Sequence, residues 1–222
     1  MEKEQRVLGP QDETVAERFT ELVRSRYELR LGRELTRVGG HLDALRLTLD
    51  DGRRQRTSAE GVFALGDICS RAALKHVANR EAEVVAHNLR HPDDLVTCDH
   101  ERVPAAVFTQ PQIASVGLTE QGCRDRGPDY TVSTAGPADT AYGWAMEDTT
   151  GFCRVLADPD SGRLLGAHLM GAQVPTLMQP LVLAVALCID AATPAGSPYR
   201  IHRAPTEVVE NALHDLDLDL ER

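Results

Sequence analysis

A net basic charge, long hydrophobic runs and a secretion signal are all missing from this sequence of 222 residues. Lysine and arginine total 24 against 34 acidic residues, and the formal net charge is −10. No basic surface would therefore attract phosphate, so we expect no nucleic-acid partner. The longest apolar run, residues 181–189, is too short to cross a bilayer and predicts a buried helix and no membrane partner. The first ten residues lack the apolar segment of a signal peptide, which favours the cytoplasm.

Paired cysteines and glycine-rich phosphate loops are also missing. The five cysteines are odd in number and widely spaced, and no C-x-x-C or C-x4-C pair occurs. Neither a zinc site nor a local redox disulfide is therefore predicted, and reduced thiols are expected. No G-x-G occurs anywhere, so the sequence has no G-x-G-x-x-G loop for a dinucleotide. The cysteines are Cys69, Cys98, Cys123, Cys153 and Cys188.

The N-terminal part predicts a helix followed by short strands. Residues 12–27 carry apolar side chains at helical spacing, and Thr14 with Glu17 could form a capping box. Apolar strands are predicted between residues 28 and 52. The last of them ends at Asp51-Gly52, a strong hairpin turn signal, but no second apolar arm follows.

A strand, a helix and a polar connection are predicted next. The apolar stretch "GVFAL" runs into Gly66-Asp67, and a helix follows from about Ala73 to Leu89. A carboxylate at the end of a strand lies where α/β folds bind ligands. Gly-Asp is also a common turn pair, and without further information the turn is the favoured interpretation. Polar residues 91–104 give the best domain boundary of the chain.

The C-terminal part predicts an α+β arrangement. Two strands broken at Gln110-Pro111 are followed by a short helix that Thr119 opens. Residues 151–171 predict a β-hairpin around a turn at 158–162. A buried helix follows, in which Pro180 causes a kink or lies in the first turn. The final helix has an apolar face that comprises Val208, Val209, Ala212, Leu213 and Leu216.

The stretch "YRIHRAPTEVVENAL" places His202 five residues before Glu207, across the start of that final helix. A carboxylate there can hold an imidazole in one tautomer and raise its basicity, which makes a proton-transfer pair. The alternative is a loop histidine beside an acid that the helix dipole stabilises. The spacing alone favours this alternative, because a single His/Glu pair is a weak motif.

Five stretches resemble, in order, the C-terminal part of the pyridine nucleotide–disulfide oxidoreductases, a family of flavoprotein disulfide reductases. They are "TSAEGVFALGDI", "LKHVANREAEVVAHNL", "VPAAVFTQPQIASVGLTE", "GFCRVLADPDSGRLLGAHLMG" and "IHRAPTEVVENAL". The resemblance implies an α+β interface (dimerisation) domain at residues 101–222. Incomplete α/β fragments would precede it, with a partial NAD(P)-binding domain at residues 1–56 and a partial FAD-binding domain at residues 57–100.

The resemblance also implies the site residues. His202 would be the acid–base residue that Glu207 orients, and it would act on the disulfide of a partner subunit. Gly66 and Asp67 would contact FAD, and the backbone of Lys75 and His76 would face the flavin ring. FAD is therefore the expected cofactor, with NADP as the family's reductant and a small-molecule disulfide as substrate. The expected partner is a second copy bound through residues 101–222, or a second chain that carries the missing FAD and cysteine elements.

Three departures from the family pattern limit the expected activity. The redox C-x4-C and both G-x-G-x-x-G loops are absent, so we expect only a partial FAD site and a truncated chain that is inactive alone. The alternatives are a non-catalytic dimerisation module or degenerate remnant, and an unrelated α+β binding protein. The family also places proline after the histidine, whereas this chain has Arg203. A cis bond before a non-proline residue costs about 3 kcal/mol, so a trans bond and a redirected His202 are expected.

Overall fold

The computed structural model describes residues 5–29, 31–32, 54–59, 61–70 and 72–218. Most of the strands predicted between residues 28 and 52, with the turn Asp51-Gly52, lie outside these residues. The chain divides into two compact units, one of Met1–Arg37 with Pro104–Arg222 and one of Val38–Val103. The domain boundaries predicted after residues 56 and 100 stay a prediction. The domain names given to the three parts remain a prediction.

Helices and strands are numbered along the chain. The strands are β1 (Ala105–Val107), β2 (Gln112–Gly117), β3 (Thr131–Ala135), β4 (Phe152–Ala157) and β5 (Leu164–Gly171). The helices are α1 (Glu13–Arg24), α2 (Lys75–Arg90), α3 (Glu120–Arg126), α4 (Ala141–Ala145), α5 (Val174–Leu177), α6 (Gln179–Ala186), α7 (Ala192–Gly196) and α8 (Thr206–His214). Among the described residues, no helix is long and apolar enough to cross a membrane.

The larger unit is built on an antiparallel sheet of five strands in the order β1-β2-β5-β4-β3. Side chains alternate between its two faces, so the sheet contributes to two cores. On one face, Val155 and Leu169 pack with helix residues such as Leu181 in a core that also includes α8. On the other face, α1 packs through residues such as Phe19 against the sheet residue Phe152. The sheet with its helices confirms the predicted α+β class.

Local signals predicted several elements of this unit correctly. The β4–β5 hairpin forms, the Gln110–Pro111 bond that separates β1 from β2 is cis, and Thr119 caps α3 by accepting the N–H of Gly122 at 2.9 Å. Pro180 lies in the first turn of α6. The cap of α1 was predicted wrongly, because Asp12 rather than Thr14 accepts the first backbone N–H.

The predicted burial of the apolar run 181–189 is only half right. Leu181 is 1% exposed, whereas Leu183 and Leu187 are 56% and 63% exposed. A helix on the surface of a unit packs one face against the core and exposes the opposite face. An apolar sequence therefore does not guarantee that all its side chains are buried. This helix therefore leaves an apolar surface uncovered.

The smaller unit contains α2 and an irregular segment before it. The strand predicted up to residue 65 is reduced to a single antiparallel bridge between Arg56 and Phe63. A 3-10 turn over Gly66–Ile68 follows, and α2 begins at Lys75. The predicted helix is therefore confirmed, with its start two residues later than expected.

Candidate functional site

The structure places His202 and Glu207 within hydrogen-bond distance. His202 Nδ1 lies 2.9 Å from Glu207 Oε1, and the imidazole side chain is 66% exposed. Glu207 is in the first turn of α8, where the helix dipole stabilises a negative charge. Because an ionised carboxylate only accepts hydrogen bonds, Nδ1–H donates and Nε2 is the nitrogen left to react. The five-residue spacing therefore brings the two side chains together across the helix start.

The backbone of this loop differs from the sequence-based expectation. The His202–Arg203 peptide bond is cis, so the prediction of a trans bond was wrong. The predicted redirection of the imidazole was also wrong, because His202 contacts Glu207. The expected trans bond rested only on the intrinsic preference of a peptide bond before a non-proline residue. In the folded chain, the neighbouring residues are also held by contacts with other segments. Arg200, for example, donates to the carbonyl of Pro194 and forms an ion pair with Glu210 at 3.9 Å.

An apolar groove of about 410 Å³ lies beside the histidine loop. Leu183 from α6 and both Tyr199 and Ile201 from the loop contribute to its wall. Tyr199 is fully exposed and Ile201 is 79% exposed. Large exposed apolar side chains grouped in one place are typical of a surface that binds another protein. The groove and the histidine are thus neighbours on one face of the larger unit.

The predicted cofactor residues lie in the smaller unit. Gly66 is buried and has φ of +71°, a conformation that favours glycine, whereas Asp67 is exposed on the 3-10 turn that follows. Lys75 and His76 are exposed in the first turn of α2. The preceding Leu74 provides no side-chain cap. The turn packs against α2 because Gly66 N–H donates to Glu81 Oε2 at 2.6 Å.

Comparison with known proteins identifies the family. Residues 103–213 match the model of the pyridine nucleotide-disulphide oxidoreductase dimerisation domain. This chain belongs to the pyridine nucleotide–disulphide oxidoreductase family. It is 42% identical to the mycothione reductase of Mycobacterium tuberculosis over 244 residues, which covers 91% of this chain and 53% of that protein. It is 33% identical to the dihydrolipoyl dehydrogenase of Corynebacterium glutamicum, with 72% of this chain and 34% of that protein covered. The predicted resemblance to this family is confirmed.

Two solved structures share the fold of this chain. LpdA from Mycobacterium tuberculosis matches with a TM-score of 0.80 at 20% identity, covering 96% of this chain and 55% of that one. The flavoprotein disulfide reductase RclA from Escherichia coli also matches with a TM-score of 0.80, at 17% identity, covering 96% of this chain and 57% of that one. The chain thus spans about half the length of the relatives that it matches.

The cysteines of this family member are thiols throughout. None of the five forms a disulfide, and burial raises the pKa of Cys69, Cys98 and Cys123 above the usual value. Burial raises the pKa of Cys153 to about 12. A thiolate is the nucleophilic form, so none of these four is activated for disulfide exchange. Within the described residues, no group of His, Cys, Asp and Glu could hold a metal ion.

One buried residue of the candidate cofactor region was missed by the sequence analysis. Glu81 is completely buried in α2, although carboxylates are rarely buried without a partner. Its position could have been found, because Glu81 has the same helical phase as Val77, Val84 and Val85. An acid in the apolar phase of a helix indicates a specific buried contact.

Proposed function

We propose that this chain provides the acid–base pair of an FAD-dependent NAD(P)H:disulfide oxidoreductase of the mycothione reductase type. The hydrogen bond between His202 Nδ1 and Glu207 Oε1 carries the proposal, because the exposed ring leaves Nε2 accessible to a molecule outside this unit. The 42% identity to mycothione reductase supports a small-molecule disulfide as the substrate.

His202 would move one proton in each turnover. A neutral imidazole accepts the proton of an attacking thiol at Nε2, and the resulting thiolate attacks one sulfur of the disulfide substrate. A new sulfur–sulfur bond forms as the old one breaks, and Nε2–H then protonates the leaving thiolate. Glu207 stabilises the imidazolium between these two steps and keeps Nδ1 as the donor. Cysteine thiols of this chain are not required for this role.

The fold family implies FAD, and the residues of the smaller unit fit part of such a site. The exposed Asp67 carboxylate suits the hydroxyl groups of a ribityl chain, and the first-turn amides of Lys75 and His76 suit the electron-rich edge of a flavin. The buried Gly66 allows close approach. A bound FAD would supply electron transfer from NAD(P)H, with NADPH proposed as the reductant. The domain names predicted for residues 1–56, 57–100 and 101–222 belong to this proposal.

The redox C-x4-C and both G-x-G-x-x-G loops would lie in polypeptide outside these 222 residues. The alignment to mycothione reductase supports a missing internal stretch as well. The alignment extends over 244 positions, which is more than the 222 residues of this chain. The mycothione reductase therefore has residues at positions where this chain has none. We therefore propose that the chain alone neither retains FAD nor reduces disulfides.

A second copy of the chain would bind through residues 101–222. The matched dimerisation domain and the exposed groove walls Leu183, Tyr199 and Ile201 support this assembly. We expect Ile201→Glu to abolish a dimer in sedimentation or light-scattering measurements. Phe108→Glu is the matched control, because Phe108 is 77% exposed outside the groove. A wild-type monomer at micromolar concentration would refute the assembly.

The state of His202 can be tested without catalysis. Nitrogen-15 NMR of the histidine rings should show His202 protonated at Nδ1 in its neutral form. Glu207→Leu should shift the neutral ring towards the other tautomer, whereas Asp215→Leu, an exposed acid just after the same helix, should leave it unchanged. The same tautomer in the Glu207→Leu variant would contradict the proposed orientation.

Activity requires a partner polypeptide and can be tested by complementation. The chain is co-expressed with the part of the Mycobacterium tuberculosis mycothione reductase that it does not match, where the family pattern predicts the cysteine pair and the dinucleotide loops. NADPH oxidation with a disulfide substrate is then followed. We expect activity from the pair and a loss of about 10²-fold or more with His202→Ala. Stoichiometric FAD on the chain alone would refute the proposed division of the site. A stable dimer without complementation would instead indicate a non-catalytic dimerisation module.

We also propose a cytoplasmic location, because five cysteines without a disulfide are typical of a reducing compartment.

A further inference from the structure

Glu81 is a buried charge with a partner on each carboxylate oxygen. Its side chain has no exposed surface; Oε2 accepts the Gly66 N–H at 2.6 Å, and Oε1 lies 2.9 Å from Nε2 of His100. A carboxylate is costly to bury unless both hydrogen bonds and a compensating donor satisfy it. Glu81 therefore connects α2 to two other segments, one that contains Gly66 and one that contains His100.

Gly66 is fixed from both of its backbone polar groups. Its N–H donates to Glu81, and its carbonyl accepts the N–H groups of Cys69 at 3.0 Å and Ser70 at 2.8 Å. The peptide units on both sides of Gly66 are thereby held, and with them the direction in which the chain continues to Asp67. Asp67 itself is exposed, so its carboxylate is available to a ligand, while the backbone of the preceding residue is held by the hydrogen bonds of Gly66.

His100 is presented to Glu81 by a segment that runs back along α2. His87 contacts the carbonyl of Asp94 at 2.8 Å, and the Asn88 side chain bonds to both the N–H and the carbonyl of Val96, at 2.8 and 3.0 Å. These contacts fix the polar connection after α2 before it reaches His100. The imidazole is therefore placed by a built framework and is not a chance neighbour of the carboxylate.

We propose that Glu81 is a positioning residue for the turn that carries Asp67. The carboxylate fixes the Gly66 N–H and thereby aims Asp67, while Nε2–H of His100 satisfies the second carboxylate oxygen. The identity of the ligand at Asp67 rests on the proposed function, whereas the positioning role does not.

The Gly66 amide reports on the proposed contact directly. In protein labelled with nitrogen-15 glycine, the assigned Gly66 amide proton should lie far downfield, because it donates to a charged acceptor. Glu81→Gln keeps a carbonyl acceptor without the charge, so the resonance should move upfield while protection from hydrogen exchange is retained. Glu81→Met keeps the length and removes the acceptor, and exchange should become faster by about tenfold or more. Glu83→Met, on the exposed side of α2, is the matched control.

Two results would overturn the positioning role. One is a Gly66 amide with the same shift and exchange rate in the wild type, Glu81→Gln and Glu81→Met. The other is an equal change in the Glu83→Met control. If Glu81→Met does not fold, Glu81→Gln decides, because its loss of charge must still move the Gly66 resonance. Rescue of exchange protection by glutamine separates a bond to Gly66 from a general packing role.

FAD titration of the complemented complex separates the two proposals. Glu81→Met should weaken FAD binding by about tenfold, and Glu81→Gln should weaken it less. If the Gly66 amide changes as expected but neither the wild type nor any variant binds FAD, the positioning role is supported and the flavin assignment is refuted. FAD binding that is equal in all variants would overturn the link between Glu81 and the ligand.

Discussion

Replacement of Asp12 should destabilise the larger unit more than any surface substitution, because three groups depend on this carboxylate. Asp12 is 1% exposed and caps α1 by accepting the N–H of Thr14 at 3.1 Å. Its second oxygen accepts the N–H of Glu120 at 3.2 Å, and Arg154 Nε lies 3.8 Å away. One side chain thus links the N-terminal helix, the start of α3 and the sheet.

The expected loss follows from these contacts. Removal of an N-cap side chain costs about 1 kcal/mol. Removal of the charged acceptor of the Glu120 N–H costs a further amount of about 1.5–3 kcal/mol. Arg154 keeps its ion pair with Glu120 and its bond to Thr134, so little is added for its charge. We expect the free energy of unfolding to fall by about 2.5–4 kcal/mol for Asp12→Ala.

Asp12→Asn separates the contribution of the N-cap from that of the charged acceptor for the Glu120 N–H. Asparagine is as good an N-cap as aspartate, so the bond to Thr14 survives, and only the charge and the contact with Glu120 are lost. We therefore expect a smaller decrease, of about 1.5–3 kcal/mol. Urea unfolding followed by circular dichroism measures both, and Glu21→Ala on the exposed side of α1 should stay within about 0.5 kcal/mol of the wild type. A loss below about 1 kcal/mol for Asp12→Ala would refute the reasoning.

Three further predictions follow from burial. Alkylation in mildly alkaline buffer should modify the exposed Cys188 and leave Cys153 unmodified, because burial raises the pKa of Cys153 to about 12; mass spectrometry of peptides checks this. Gly166→Ala should lower the free energy of unfolding by about 2 kcal/mol or more, because the new Cβ would overlap the carbonyl oxygen of Leu118, and urea unfolding measures it. Burial lowers the pKa of His168 below its usual 6.5, so the unfolded chain binds a proton that the folded chain does not, and stability falls as the pH drops below 6.5. The slope is at most about 1.4 kcal/mol per pH unit, and His168→Gln should reduce it in unfolding measured over a pH series.

The elements that the sequence predicted well are those that local chemistry determines. The turn of the β4–β5 hairpin is an example, because Asp158 accepts the N–H of Ser161 at 2.8 Å within the turn itself. This bond also lowers the pKa of Asp158. Thr119 similarly caps α3 through a contact three residues away. No distant part of the chain is needed for either feature.

The elements that the sequence analysis missed depend on distant contacts. Strand β3 has the sequence "TVSTA", which carries little apolar signal, and it forms because it pairs with β4. Its Ser133 hydroxyl donates to the carbonyl of Ala212 in the last helix, a contact between residues that are 79 positions apart in sequence. The cap of α1 was misjudged for the same reason. Thr14 and Asp12 are both plausible caps locally, and the contact with Glu120 favours Asp12.

The two acids of the candidate sites show how far sequence reasoning extends. The pairing of Glu207 with His202 came from the resemblance to the family, because the five-residue spacing alone favoured a loop histidine; the structure brings the two side chains within hydrogen-bond distance. Glu81 could be identified as buried from its helical phase alone, since Val77 and Val84 share that face. Its partners Gly66 and His100 could not be identified in this way, because each is more than a dozen residues away and lies in a segment without regular periodicity. Helical phase predicts that a charge is buried, whereas only the folded chain identifies the donors that make the burial tolerable.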